Sequence, residues 1–244
     1  TPEHYILFVG SPKERRHWLD WSLFHVEQNY LDIWKNYHRA LRHRNTLLKE
    51  ARPINSSEIE GWEKQIAEEG SKIDDMREKY LFSLCSALNE KHLPFVLPGE
   101  ANINYLNKDY AKNGLRKTLE TNRNREASKG YTFFGPHRTD ILFDYQGTRV
   151  EKHLSRGQIK LFAASLISAQ IEKLKEKGGC PIMLVDDLSA ELDDKSSAKM
   201  LKLLLANNTQ TFVTSIALPE TITKDKNKAS VFHVEHGSIK KVVK

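Results

Sequence analysis

Cysteine is nearly absent from this 244-residue chain: there are two, Cys85 and Cys180, far apart and next to apolar residues. Two such thiols do not make a disulfide framework, which points to a reducing compartment, the cytoplasm. No apolar run approaches the ~18 residues needed to span a bilayer, and no signal peptide precedes the first apolar segment, so membrane roles are excluded from the expectations. Internal repeats and low-complexity tracts are missing too, which excludes solenoids. There is no initial methionine. The chain starts at Thr1 directly ahead of a strand-like run, Tyr5-Ile6-Leu7-Phe8-Val9, and reads as the continuation of a longer polypeptide.

What is present suits a globular protein with long exposed helices: 39% hydrophobic and 29% charged residues, enough chain for one large domain or two modest ones. The formal charge of +6 permits binding to nucleic acid without establishing it.

From about Pro12 to Lys49 the pattern is helical, with a break after the first turns. Leu31, Trp34, His38, Leu41, Asn45 and Leu48 recur at alternating spacings of three and four, the seam of a paired helix. Pro53 closes it, and Ser57 with Glu60 forms a capping-box pattern for the next helix, whose seam is Ile59, Trp62, Ile66, Ile73, Met76 and Tyr80. Gly70 weakens its middle. Two such helices joined by a short loop form an antiparallel hairpin, a projecting arm. The first helix carries Lys35, Arg39, Arg42, Arg44, Lys49 and Arg52; the second carries Glu58, Glu60, Glu63, Glu68, Glu69, Asp74 and Asp75. Either these charges flank the seam and pair across it, or the basic face contacts phosphates.

Short strands follow between Leu93 and Leu106, then a polar helix from about Lys108 to Ser128. From Tyr131 the pattern alternates strand and helix, which argues for a layered α/β lobe. Strands are expected at 131–134, 140–145, 148–152, 182–185 and 211–215, helices at about 156–177 and 194–206, and a terminal hairpin turns at His236-Gly237. The resulting division is a helical arm domain over 1–128, with its hairpin at about 12–90, and a lobe over 129–244. Trp18, Trp21 and Trp34 are read as core. His233 and His236 face opposite ways on a strand, and His38 and His43 diverge on a helix, so none is read as a metal ligand.

The chemistry concentrates in Ile182-Met183-Leu184-Val185-Asp186-Asp187, a parallel strand covered on both faces that ends in two acids. Acids at the carboxyl end of such a strand lie where α/β sheets bind ligands. The first can hold a magnesium shell and the second polarise water; alternatively the pair merely caps the next helix. Upstream, Leu154-Ser155-Arg156-Gly157-Gln158 opens a long amphipathic helix. Ser155 and the accessible Gly157 amide at a helix N-terminus suit an anionic γ-phosphate, or Ser155 is simply the helix cap.

In order and spacing these segments resemble ABC-type ATPases. LSRGQ is similar to the signature motif, IMLVDD to the Walker B strand and SAELD to the D-loop. Within that superfamily the chain resembles the RecF family, the bacterial recombination mediators related to SMC proteins. The residues are LSRGQIKL, DDLSAELD, the segment Gly135-Pro136-His137-Arg138-Thr139-Asp140, and TPEH followed by GSPKERRHWLDW. The resemblance covers essentially the whole chain. It implies an α/β fold, the C-terminal half of an ABC-type ATPase head carrying an α-helical hairpin arm.

It also implies roles. Asp186 would coordinate Mg²⁺ and Asp187 would take the place of the catalytic carboxylate, usually a glutamate. Ser155, Arg156, Gly157 and Gln158 would reach the γ-phosphate of ATP bound by a second copy, and Asp193 would connect the two sites. Thr214-Ser215 stand where transporters carry a switch histidine, which sets the chain apart from transporters. The family's role would be an ATP-dependent homodimeric clamp on double-stranded and gapped DNA. With RecO and RecR it would assist RecA loading in repair, recombination, replication and the SOS response. DNA contacts are expected on the basic arm and near Arg138. One family element is missing: no G-x-x-x-x-G-K-[ST] loop occurs, so nothing here cradles β- and γ-phosphates. The chain alone is therefore expected to be inactive. The alternative function is a non-catalytic scaffold for DNA or protein.

Overall fold

Apolar content at the start of the chain resolves differently from the expected strand. In the computed structural model, which describes residues 2–50, 56–188, 190–215 and 230–242, Pro2–Val9 is a helix, α1. Its Phe8 is buried edge-on between Phe143 and Phe162, with ring centroids at 5.2 and 5.5 Å. A helix satisfies its own backbone while one face packs, whereas a strand needs a neighbour to bond with; short apolar runs do not distinguish the two. Ser11, Pro12 and Glu14 then start α2 (Pro12–Val26) with a capping box and a proline in the first turn.

α3 (Tyr30–Lys49) and α4 (Ser56–Ala87) form the expected hairpin. Three pairings fix its antiparallel sense: Tyr30 with Arg77, Tyr37 beside Gly70, and Arg44 with Glu63. The loop 51–55, with Arg52 and Pro53, lies outside the described residues, and α4 already includes Ser57 rather than being capped by it. On α4 the buried line is Ile59, Ile66, Ile73 and Tyr80, as the spacing predicts. On α3 the line is rotated. Leu41 and Leu48 are buried, but Leu31 is exposed, and Tyr30, Tyr37 and Arg44 hold the centre. Polar tips hid these residues from the pattern; each is buried because a partner meets its tip. Gly70 is no weak point: a Cβ there would lie 2.7 Å from Leu115 Cδ2 and 3.3 Å from the Tyr37 ring, so the absent side chain lets neighbours close in.

After α4 come a π-helical turn (Leu88–His92) and a 3₁₀ turn (Leu93–Phe95), and the latter takes the first part of the segment where short strands are expected. β1 (Ala101–Leu106) follows, then α5 (Lys108–Ala111) and α6 (Leu115–Ala127), the polar helix broken at Gly114. β2 (Asp140–Tyr145) pairs antiparallel with β1 from Ala101↔Tyr145 to Leu106↔Asp140, and β3 (Thr148–Arg149) completes a three-stranded sheet. The expected strand at 131–134 is absent, because the Thr132 and Phe133 amides donate to the side chains of Asn45 and Glu126 instead of to a ladder. The second strand of the hairpin is shortened as well: Val150–His153 coils into α7, which leads into α8 (Arg156–Glu176).

β4 (Met183–Val185) and β5 (Thr211–Val213) are a parallel pair connected through α9 (Asp194–Ala206), the βαβ unit that the alternation predicts. The expectation that this strand is covered on both faces fails here: Leu184 is 76% exposed, while Met183 is buried against the helices. β6 (Val231–Glu235) and β7 (Ser238–Val242) form the terminal hairpin about His236-Gly237. A single apolar cluster runs from Leu19 and Leu23 through Leu81 and Leu84 to Phe162, Leu166 and Leu201. Trp18 and Trp34 pack against it, but Trp21, also expected in the core, is 52% exposed beside His25.

Candidate functional site

The apolar β4 delivers two acids at its carboxyl end, and the end of β5 holds them. Thr214 Oγ1 donates to Asp186 Oδ1 at 2.7 Å and accepts from the Asp187 amide at 2.9 Å. The Thr214 amide donates to the Val185 carbonyl and the Leu188 amide to the Thr214 carbonyl. Thr214 thus ties the acid pair to the sheet. Asp187 takes a left-handed backbone, φ 48°, a conformation Asp tolerates better than most residues. Its Oδ1 is buried with no hydrogen-bond partner among the described residues, whereas Asp186 is exposed.

Ser155 begins the 21-residue α8. Its Oγ accepts from the Gln158 amide at 3.4 Å, and Gln158 Oε1 accepts from the Ser155 amide at 2.9 Å. The capping role is thus realised, yet Ser155, Arg156 and Gln158 stay exposed and the hydroxyl keeps its own proton to donate. Gly157 is a contact point: a Cβ there would lie 2.7 Å from the Glu191 carbonyl oxygen, so the segment after the acids lies directly on the start of the helix. Lys160, one turn further along, binds that segment. Its Nζ donates to the carbonyls of Asp187 at 2.7 Å and Ala190 at 2.9 Å. Burial lowers its ammonium pKa while Asp187, Glu191 and Asp186 oppose that. Asp193 caps α9, accepting from the Ser196 amide at 2.7 Å, and that amide holds its carboxyl below the usual range. Ser189 lies outside the described residues.

The acids, the cap and the linking segment are therefore brought together. The sequence reading missed Lys160 and the working role of Thr214. A lysine one turn into α8, just ahead of its apolar run and followed later in sequence by an acidic segment, was the available signal. The donor set fits a nucleotide with a hard cation: a buried carboxylate oxygen lacks a partner, a second carboxylate faces solvent, and a long helix presents its N-terminus. Beside the acids, an open hollow of about 570 Å³ between α2, α8 and the β4–β5 pair is lined by Trp21, Tyr80, Ile167, Leu184, Met200 and Phe212. It is too apolar to hold phosphates.

The 135–140 segment has a different use. Pro136 O accepts from Arg77 Nη1 at 2.8 Å, the Tyr37 hydroxyl and His137 Nδ1 lie 2.6 Å apart, and Asp140 takes a bidentate contact from Arg15. Arg77 also reaches Asp20 and Thr139, while Tyr105 and Tyr110 donate to Asp74. Burial pushes the Asp74 carboxyl up to about 6 and His137 down to about 3. Arg44 pairs across the hairpin with Glu63, one of the two outcomes expected for these charges, but it does so fully buried, with Glu126 beside it as well. Arg123 holds the other oxygen of Glu63 at 2.6 Å.

No protein-family model matches the chain. Curated relatives do. It is 35% identical over 240 residues to the DNA replication and repair protein RecF of Vibrio atlanticus, covering 98% of this chain and 66% of that protein. It is 34% identical over 247 residues to the RecF of Hydrogenovibrio crunogenus, covering 98% and 67%. The chain thus spans about two thirds of the length of these relatives. A solved structure of the recombination mediator protein RecF-ATP in the RecFOR pathway superposes with a TM-score of 0.81 at 26% identity, over 100% of this chain and 66% of that one. An Smc head domain with an extended coiled coil, from Pyrococcus furiosus, matches at 0.52 and 17% identity over 98% and 59%, a likeness of fold alone. The fold is that of an ABC-type ATPase head, mixed helix and sheet. Relatives that match 98% of this chain at 34–35% identity, on the head fold of an ABC-type ATPase, settle the affiliation: the chain belongs to the RecF family of DNA replication and repair proteins.

Proposed function

We propose that this chain is the signature and Walker B half of a RecF-type ATPase that clamps DNA during replication and repair. The observation carrying the proposal is the junction of Gly157, Lys160 and Glu191, which ties the acid pair to the helix end that would face a second copy's nucleotide. Bound ATP with Mg²⁺ would supply a cleavable phosphoanhydride and charge neutralisation. Asp186 would hold the metal shell, and Asp187, with an oxygen free of partners, would orient water. Ser155, Arg156, Gly157 and Gln158 would present donors to the γ-phosphate of the second copy, and Asp193 would fix the D-loop between the sites. The arm over 1–128 and the lobe over 129–244 would act as one lever, cytoplasmic, working with RecO and RecR at gapped DNA to assist RecA loading.

The missing phosphate loop supports the second reading for the chain by itself, a scaffold without catalysis. The exposed Leu184 and Phe212 suit a lobe packed over β4 and β5 in a longer polypeptide. Hydrolysis is the decisive measurement. The chain alone should show none, and the same chain in a polypeptide with a phosphate loop should turn over ATP and stop with Asp186→Asn. Hydrolysis by the chain alone that Asp186→Asn abolishes would overturn the requirement for a second lobe. A DNA affinity independent of salt would favour protein binding over DNA binding.

A further inference from the structure

A row of cations and rings lies on the surface beyond the nucleotide motifs. The Arg125 guanidinium lies 5.3 Å from the centre of the Phe133 ring. Phe133 meets Tyr131 edge-on at 4.7 Å, and Arg138 sits 5.2 Å from the centre of the Tyr131 ring. Tyr131 is 42% exposed, and Arg125 and Arg138 are exposed. Lys129 is exposed between them, and Lys49 runs over Gly130, where a Cβ would lie 2.9 Å from its Cγ. None of these four cations pairs with a carboxylate among the described residues. Between Ala127 and Thr139 the sequence has no acid, and Glu126 is turned inward onto Arg44.

The row is held from beneath. Thr132, between the two outward rings, points inward: its amide and hydroxyl donate to Asn45 Oδ1 at 2.9 and 2.7 Å, and its Oγ1 accepts from Arg44 Nη1 at 2.8 Å. The Phe133 amide donates to Glu126 Oε1 at 2.6 Å. The buried Arg44 cluster therefore sets the alternation that places Tyr131 and Phe133 outside.

We propose that the Arg125–Phe133–Tyr131–Arg138 row is a docking surface for the phosphodiester backbone of DNA. It rests on the DNA-repair reading above and adds the location and the mode of contact. Each ring lies beside one guanidinium, 5.3 Å for Arg125 and 5.2 Å for Arg138, on exposed side chains with no carboxylate partner among the described residues, and a guanidinium left so can grip a phosphate bidentately. Fixing the side chains beforehand reduces the entropy lost on binding. Arg138 lies over Tyr131 and the second ring meets it edge-on, so the rings serve the cations rather than stack on bases. The surface should therefore bind without regard to sequence and lose affinity steeply with salt.

The test is a salt titration of binding to a duplex and to a single strand of the same sequence, for the protein and its Arg125→Gln/Arg138→Gln variant. The variant should bind about tenfold more weakly, with a log–log salt slope shallower by about two. Arg125→Lys/Arg138→Lys should keep the slope, which shows that the loss follows charge and not misfolding. Arg116→Gln, removing an exposed cation already paired with Glu120, should change neither. Whichever DNA form shows the slope difference is the form docked here. If the unsubstituted protein binds and the double Gln variant keeps its affinity and slope, this surface is overturned and the DNA-repair reading stands. If the unsubstituted protein binds neither form at low salt, that reading falls and the surface with it.

Discussion

Lys160 Nζ donates to the carbonyl oxygen of Asp187 at 2.7 Å, joining the first turns of α8 to the acid pair across 27 residues of sequence. The same ammonium also bonds Ala190 O, so one cation gathers the turn in which Asp187 and Glu191 both adopt left-handed backbones. Lys160→Met keeps the aliphatic stem and removes the three donors. The Leu188 and Ala190 amides should then exchange hydrogen about tenfold faster or more, since hydrogen bonds from a charged donor contribute roughly 1.5–3 kcal/mol. Unchanged exchange would show that the turn holds its shape without the lysine.

Ser155 caps α8 and is proposed to meet a second copy's nucleotide, and substitution can separate the two. Asn caps helices about as well as Ser, so Ser155→Asn should leave the unfolding midpoint unchanged, while Ser155→Ala should cost about 1 kcal/mol. In a polypeptide that also carries the phosphate loop, both variants should weaken ATP-driven dimerisation. Sedimentation with and without ATP measures it, and normal dimerisation of the Asn variant would leave the residue as a cap alone.

Two glycines should respond in opposite directions to alanine. Nothing lies within 4 Å of a Cβ at Gly61, on the exposed side of α4, so Gly61→Ala should stabilise by about 1 kcal/mol. At Gly157 the new methyl meets backbone, the Glu191 carbonyl at 2.7 Å, and the linking segment must move. Gly157→Ala should therefore destabilise by roughly 1–3 kcal/mol in urea unfolding, despite alanine's better helix propensity.

Asp74 and His137 titrate in opposition. Asp74, raised to about 6, contributes stability that is present below its unfolded value near 3.8 and is lost as pH rises through about 6. His137, lowered to about 3 from 6.5, contributes stability that is present above 6.5 and is lost as pH falls toward 3. Between about pH 4 and 6 the two slopes cancel. Asp74→Asn removes one of them, so stability in urea should rise with pH about 1.4 kcal/mol per unit more steeply than in the unsubstituted protein. Parallel profiles would show that Asp74 does not hold a proton in the folded state.

Much of the local structure was legible in the sequence. The periodicity of Ile59, Ile66 and Ile73 placed α4, the cap and the apolar run placed α8, and the order LSRGQ, IMLVDD, SAELD picked out the segments that the fold brings together. These are properties of one stretch of chain, a helix face or a strand followed by acids. What the sequence could not decide required a partner from elsewhere. Tyr5–Val9 is helical because Phe8 finds Phe143 and Phe162, and 131–134 is no strand because Asn45 and Glu126 take its amides. Arg44 is interior because two carboxylates and a threonine surround it, where the pattern alone left open a charge paired beside the seam or a phosphate contact. Burying a charge is unfavourable until its partners arrive, and those partners lie 19 to 88 residues away. Lys160 belongs to the same class: its sequence position marks a cation on a helix, and only the fold brings the Asp187 and Ala190 carbonyls to it.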